Sequence, residues 1–149
     1  MSNELKPINI LYIEDSPGDA RLVQEALKEG KLHNNLFIVR DGIEAMAYLH
    51  TENKYALEVR PDLILLDLNL PKMDGREVLK AIKADDNLKK IPVVILTTST
   101  ADEDILKSYN HHANCFITKP IEFNQFIKVV KSIENFWFTI VKLPPNEGK

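Results

Sequence analysis

Leu63-Ile64-Leu65-Leu66-Asp67-Leu68-Asn69-Leu70-Pro71 is the stretch that decides the fold. Four consecutive branched apolar residues fill a strand that is covered on both faces, as strands of a parallel sheet are. The run ends in an acid, and the chain then turns through Pro71 and Asp74-Gly75. Three other runs repeat the pattern. Ile10-Leu11-Tyr12-Ile13 ends at Glu14-Asp15, Val93-Val94-Ile95-Leu96 at Thr97-Thr98, and Cys115-Phe116-Ile117 at Thr118-Lys119-Pro120. Carboxylates, a hydroxyl and an ammonium are thus delivered to the C-terminal ends of strands, the edge at which open parallel sheets bind ligands.

Helical patterns alternate with these strands. The first strand spans about Ile8 to Ile13. Helix one opens at Ser16-Pro17, with Ser16 as cap and Pro17 in the first turn, buries Ala20, Val23, Ala26 and Leu27, and ends at Gly30. Asn34-Asn35 precede a second strand, Leu36 to Val39. Helix two begins at Asp41-Gly42 and uses Ile43, Ala45, Met46, Ala47 and Leu49. Thr51 to Arg60 reads as a loop. Helix three, Gly75 to Ala84, turns Val78, Leu79 and Ile82 inward; helix four covers Asp102 to Tyr109; helix five starts near Glu122 and carries Phe123, Phe126, Ile127, Val130 and Ile133. Five βα units with short connections predict an α/β fold, a doubly wound five-stranded parallel sheet with helices on both faces. One domain is the natural count for 149 residues.

Composition excludes several classes. Hydrophobic residues make up 44% and charged residues 28%, with a net charge of -3 and both signs interspersed. That balance gives no electrostatic case for nucleic acid or an anionic membrane. The lone Cys115 excludes an intramolecular disulfide and a cysteine metal cluster. His33, His50, His111 and His112 form no metal-like constellation. No apolar stretch reaches the roughly 18 residues of a membrane span, and Met1-Ser2-Asn3-Glu4 does not begin a signal peptide. The expected location is cytoplasmic.

Glu14, Asp15 and Asp67 converge in this topology, and crowded carboxylates repel unless a proton or cation intervenes. Oxygen ligands without histidine or cysteine favour magnesium or manganese over zinc. A cation, a carboxylate nucleophile and a lysine suit phosphoryl transfer through an acyl phosphate. The chain lacks the glycine-rich loop that cradles nucleotide phosphates. The expected donor is therefore a phosphorylated residue of another protein or a small phosphodonor, not ATP. Two rivals stand beside this reading. One is a constitutive interaction module that no longer uses phosphate. The other is a metal-dependent phosphohydrolase, which needs a further carboxylate as general acid or base, with Asp74 as candidate.

In combination, Glu14-Asp15, Asp67 with Pro71 and Asp74-Gly75, Thr97, and Lys119-Pro120 resemble the receiver-domain family of two-component signalling. The resemblance covers about Ile8 to Asn135, a core of about 8–135. It implies the flavodoxin-like strand order 2-1-3-4-5. It also implies that Asp67 is the phosphoacceptor and that Glu14, Asp15, Asp67 and the Asn69 carbonyl hold Mg2+, or Mn2+ in its place. Thr97, the Thr98 amide and Lys119 would bind the phosphoryl group, the ammonium fixed by a cis Lys119-Pro120 bond, while Pro71 and Gly75 shape the loop. Phe116 maps to the family's switch aromatic, with a plain buried aromatic as the alternative. The implied protein is a self-phosphorylating and self-dephosphorylating signalling protein, not a conventional enzyme, whose donor is a histidine kinase.

The last helix runs on into Phe136-Trp137-Phe138-Thr139-Ile140, and then a tail containing Pro144-Pro145. Aromatic residues on more than one face predict burial, as interfaces are rich in such anchors. A homodimer interface through Phe136, Trp137, Phe138 and Ile140 is preferred over a tail folded across its own domain or a site for a different partner. With this extension (136–149) the chain is similar to the small single-domain response regulators of cyanobacterial phytochromes. That similarity implies a phytochrome kinase as phosphodonor. The downstream protein is separate and not legible in the sequence.

Overall fold

Strands β1 (Ile8–Ile13) and β3 (Leu63–Asp67) are buried along almost their whole length, as the apolar runs Ile10–Ile13 and Leu63–Leu66 require. The computed structural model describes residues 7–29, 34–51, 60–68, 70, 72–97, 115–118, 124–126 and 128. Strand β2 (Asn34–Val39) lies on the outer side of β1, and β4 (Val93–Thr97) on the far side of β3, giving a parallel sheet of order β2-β1-β3-β4. The short β5 (Cys115–Thr118) runs parallel along β4. Every strand pair among the described residues is parallel.

Alternation along the strands divides the core in two. Ile8, Ile10, Leu63, Leu65, Val94 and Leu96 face one side, packed against Ala20, Val23 and Leu27 of α1 (Pro17–Glu29) and against Phe126. Leu11, Ile13, Ile64, Leu66, Val93 and Ile95 face the other. There they meet Ala45, Tyr48 and Leu49 of α2 (Gly42–Leu49) and Val78, Leu79 and Ile82 of α3 (Gly75–Ala84). The helices start on specific caps. The Asp19 N–H donates to Ser16 Oγ at 3.2 Å, and the Glu44 N–H to Asp41 Oδ1 at 2.7 Å. Asp74 and Glu77 form a capping box at α3.

The structure corrects the sequence reading in places. Strand β2 begins at Asn34, not Leu36: Asn34 and Asn35 pair with Ile8 and Asn9, and Asn35 Nδ2 donates to Asn9 Oδ1 at 3.1 Å. An outer strand keeps contact with water, so polar side chains are tolerated there. Ile43 is 58% exposed, while Tyr48 takes the inward place on α2. Helices four and five, the loop 52–59 and the 136–149 extension lie outside the described residues, apart from helical backbone at 124–126 and 128.

Two glycines let the chain pack backbone on backbone. A Cβ at Gly42 would collide with the Met73 carbonyl. At Gly75 it would stand 2.5 Å from the Asp67 carbonyl oxygen and 2.7 Å from Leu68 Cα. The start of α3 therefore rests directly on the end of β3. Gly75→Ala forces that contact apart and is expected to cost about 1–3 kcal/mol, as overpacking does. Urea unfolding checks this, and a midpoint equal to that of the unmodified chain would count against the close contact.

Candidate functional site

Strand register builds the site. Ile13 pairs with Leu66, and Asp67 pairs with Leu96. Glu14-Asp15, directly after β1, thus emerge beside Asp67 at the end of β3. The Glu14 N–H also donates to the Val39 carbonyl at 2.9 Å, holding the end of β1 against β2. Glu14, Asp15 and Asp67 each bring a carboxylate oxygen to within 4.8 Å of the others. Glu14 and Asp67 are buried, at 2% and 5% exposure, and Asp15 is exposed.

This arrangement works against the fold's own stability. Two unit charges at the 4.8 Å limit repel by about 3 kcal/mol at the effective dielectric of about 20 that suits protein sites. Divalent charge offsets that repulsion. The donor set fits a hard cation: all three donors are carboxylate oxygens, and Asp15 is exposed to water.

Glu14 is held at both oxygens. The buried Tyr12 hydroxyl donates to Glu14 Oε1 at 2.8 Å, and the Ser16 N–H donates to Glu14 Oε2 at 3.3 Å. Burial first, and then the Glu14 charge, push the Tyr12 phenol far above its ordinary range, so it stays a donor. Sequence reasoning passed over Tyr12 as strand filling. The available signal was its spacing, since residues two apart on a strand share a face.

The family described as the response regulator receiver domain matches residues 10–131. The chain belongs to this family. It is similar to the response regulator Rcp1 of Synechocystis sp. (strain ATCC 27184 / PCC 6803 / Kazusa), with 51% identity across 97% of this chain and 99% of that one. Among solved structures it resembles the phosphorylated cyanobacterial phytochrome response regulator RcpA, at 52% identity and a TM-score of 0.74, covering 93% of this chain and 99% of that one. It also resembles the Mn(2+)-bound form of Rcp1, at 51% identity and a TM-score of 0.73, with the same coverage.

The other receiver positions are placed unevenly. Thr97 ends β4 and pairs with Thr118, the last residue of β5. The side chains of Thr97 and Phe116, and the whole of Asn69, Pro71, Thr98, Lys119 and Pro120, lie outside the described residues. The Leu68 N–H donates to the Leu96 carbonyl at 3.4 Å and the Gly75 N–H to the Leu68 carbonyl at 3.0 Å, so the loop after Asp67 is tied to both β4 and α3. Asp74 does not supply a free acid or base. Its Oδ1 accepts the Arg76 N–H at 2.7 Å and lies 3.3 Å from Arg76 Nη1, which removes the candidate the phosphohydrolase reading needed. Among the described residues no helix is long and apolar enough to cross a membrane.

The exposed Asp15 allows one charge to be removed from the cluster with little effect on packing. Asp15→Asn is expected to raise the melting temperature in chelator by about 3 °C, the equivalent of roughly 1 kcal/mol in a chain of this size. It should also shrink the further rise that magnesium gives the unmodified chain. Scanning calorimetry with and without magnesium reads both effects. A lower melting temperature in chelator would contradict net repulsion at the site.

Proposed function

We propose that this receiver domain is a phosphoacceptor response regulator in which Asp67 takes a phosphoryl group from a histidine kinase. The observation that carries the reading is the meeting of buried Asp67 with Glu14 and Asp15, oxygens within 4.8 Å, at the C-terminal edge of a parallel sheet. Likeness to RcpA and Rcp1 over nearly the full chain favours a phytochrome kinase as the donor.

In this reading Glu14, Asp15, Asp67 and the Asn69 carbonyl hold Mg2+, or Mn2+. When bound, the cation supplies positive charge that offsets the carboxylates and the incoming phosphoryl oxygens. An Asp67 carboxylate oxygen attacks phosphorus as the phosphorus–nitrogen bond of a donor phosphohistidine breaks. The imidazole keeps the electron pair and takes a proton from solvent. Lys119 pairs with the transferred group, while Thr97 and the Thr98 amide receive its oxygens. Hydrolysis reverses the occupancy: water attacks phosphorus and the Asp67 carboxylate leaves. The chain promotes both steps on itself and turns over no separate substrate. Pro71, Gly75 and Pro120 hold the loops that carry these groups.

Phosphorylation replaces the single negative charge of the Asp67 carboxylate with a phosphoryl group that carries about -1.5 to -2 and strong acceptor oxygens. Thr97 and Lys119 move toward them, and Phe116 repacks, so a partner meets a changed surface around β4 and β5. The rest of the chain completes a single five-stranded receiver domain of order 2-1-3-4-5, with a core of about 8–135 and a C-terminal extension at 136–149. Phe136, Trp137, Phe138 and Ile140 of that extension form a homodimer interface. The signal passes to a separate downstream protein.

Incubation with acetyl phosphate and magnesium, followed by intact-mass measurement, should add one phosphoryl group to the unmodified chain and none to Asp67→Asn. Equal labelling of the two would remove Asp67 from the role. Sedimentation of a chain truncated before Phe136 is expected to show monomers where the full chain dimerises; unchanged assembly would place the interface elsewhere.

A further inference from the structure

Tyr12 is fully buried on the face of β1 that it shares with Ile8 and Ile10, packed in the cluster that includes Val23 and Leu27 of α1. Packing there calls for an apolar ring. A phenylalanine would fill the same space without burying a polar atom, whose desolvation is costly unless it is bonded. The hydroxyl is bonded, at 2.8 Å to Glu14 Oε1, and the opposite oxygen of that carboxylate takes the Ser16 N–H at 3.3 Å. Glutamate has one more rotatable bond than aspartate, so an unheld Glu14 would spread its carboxylate over more positions. Two donors on separate oxygens remove that freedom. A carboxylate accepts up to about four hydrogen bonds, so these two donors do not by themselves saturate it.

From this geometry we propose that Tyr12 is a positioning residue for the cation site: its phenol fixes the Glu14 carboxylate in the orientation in which it joins Asp15 and Asp67. The proposal rests on the cation-dependent reading above. A phenol suits the task. It donates a hydrogen bond without adding a charge that would take the cation's place, as a lysine or arginine would. Its ring is immobilised by the core, so the point of attachment does not wander. Groups that orient metal ligands in this way typically matter by 10- to 100-fold in affinity.

Isothermal titration of magnesium chloride into the chelator-treated full chain tests this. Tyr12→Phe keeps the core volume and is expected to weaken magnesium affinity about tenfold. The same change in a Glu14→Asp background, where the carboxylate has drawn back from the phenol, is expected to have little further effect. The unmodified chain gives a second readout: magnesium should shift its near-ultraviolet tyrosine absorbance as the cation draws on the Glu14 oxygens, and Glu14→Asp should abolish the shift. Equal affinity of Tyr12→Phe and the unmodified chain overturns the proposal. So does an equal loss in both backgrounds, which marks a general fold effect, or an absorbance that magnesium leaves unmoved. If the unmodified chain binds no magnesium at all, the functional reading itself falls, and the proposal with it.

Discussion

The parallel register between β1 and β3 is the constraint on which the site depends. Ile13 opposite Leu66 sets Glu14-Asp15 and Asp67 at one edge. The same register gives the two helical layers their apolar faces, because side chains alternate across the sheet. A slip of one residue would present the wrong set of side chains to α1 and to α2 and α3. The core thus enforces the approach of three acids that would separate if left to themselves. Packing of the two apolar layers, not attraction within the site, holds the carboxylates together.

That arrangement needs support close to the charges. Gly75 lies against the Asp67 carbonyl with no room for a side chain, and the Gly75 N–H reaches the Leu68 carbonyl. Asp74 and Glu77 spend their carboxylates on the first turn of α3. Gly42 lies against the Met73 carbonyl, and Lys72, at positive φ, stands 3.5 Å from Asp41 Oδ2 at the α2 cap. The loop after Asp67 is therefore braced from α3 and from α2. On the β1 side, Tyr12 and Ser16 hold Glu14.

Much of this was legible in the sequence, for physical reasons that also explain what was not. Runs such as Leu63–Leu66, closed by an acid, have one economical reading as buried parallel strands, and the acids follow at their ends. Ser16-Pro17 and Asp74-Gly75 mark helix starts because capping is local chemistry. The inward face of α2 was harder to read. Ile43, Ala45, Met46 and Ala47 are apolar nearly all round the helix, so periodicity did not choose between Ile43 and Tyr48. Asn34-Asn35 were placed before the second strand because propensity does not register an outer strand. Tyr12 was read for its ring alone; spacing sets it on the same side of the chain as Glu14, and the 2.8 Å hydrogen bond gives its hydroxyl a meaning.

Bracing also bears on where a signal can leave the site. Interiors packed to crystal-like density do not deform gradually, so a change at one end of a sheet moves elements that have a second arrangement available. The path from Asp67 into α3 is closed by backbone contact at Gly75, and the path toward α2 by backbone contact at Gly42. Movement there would have to break a helix cap as well. Strands β4 and β5 reach the same edge of the sheet through Thr97 and Thr118. The backbone contacts at Gly75 and Gly42 thus make the α2 and α3 side of the Asp67 loop stiff. Displacing α3 would cost the backbone contacts that hold Asp67 itself in place.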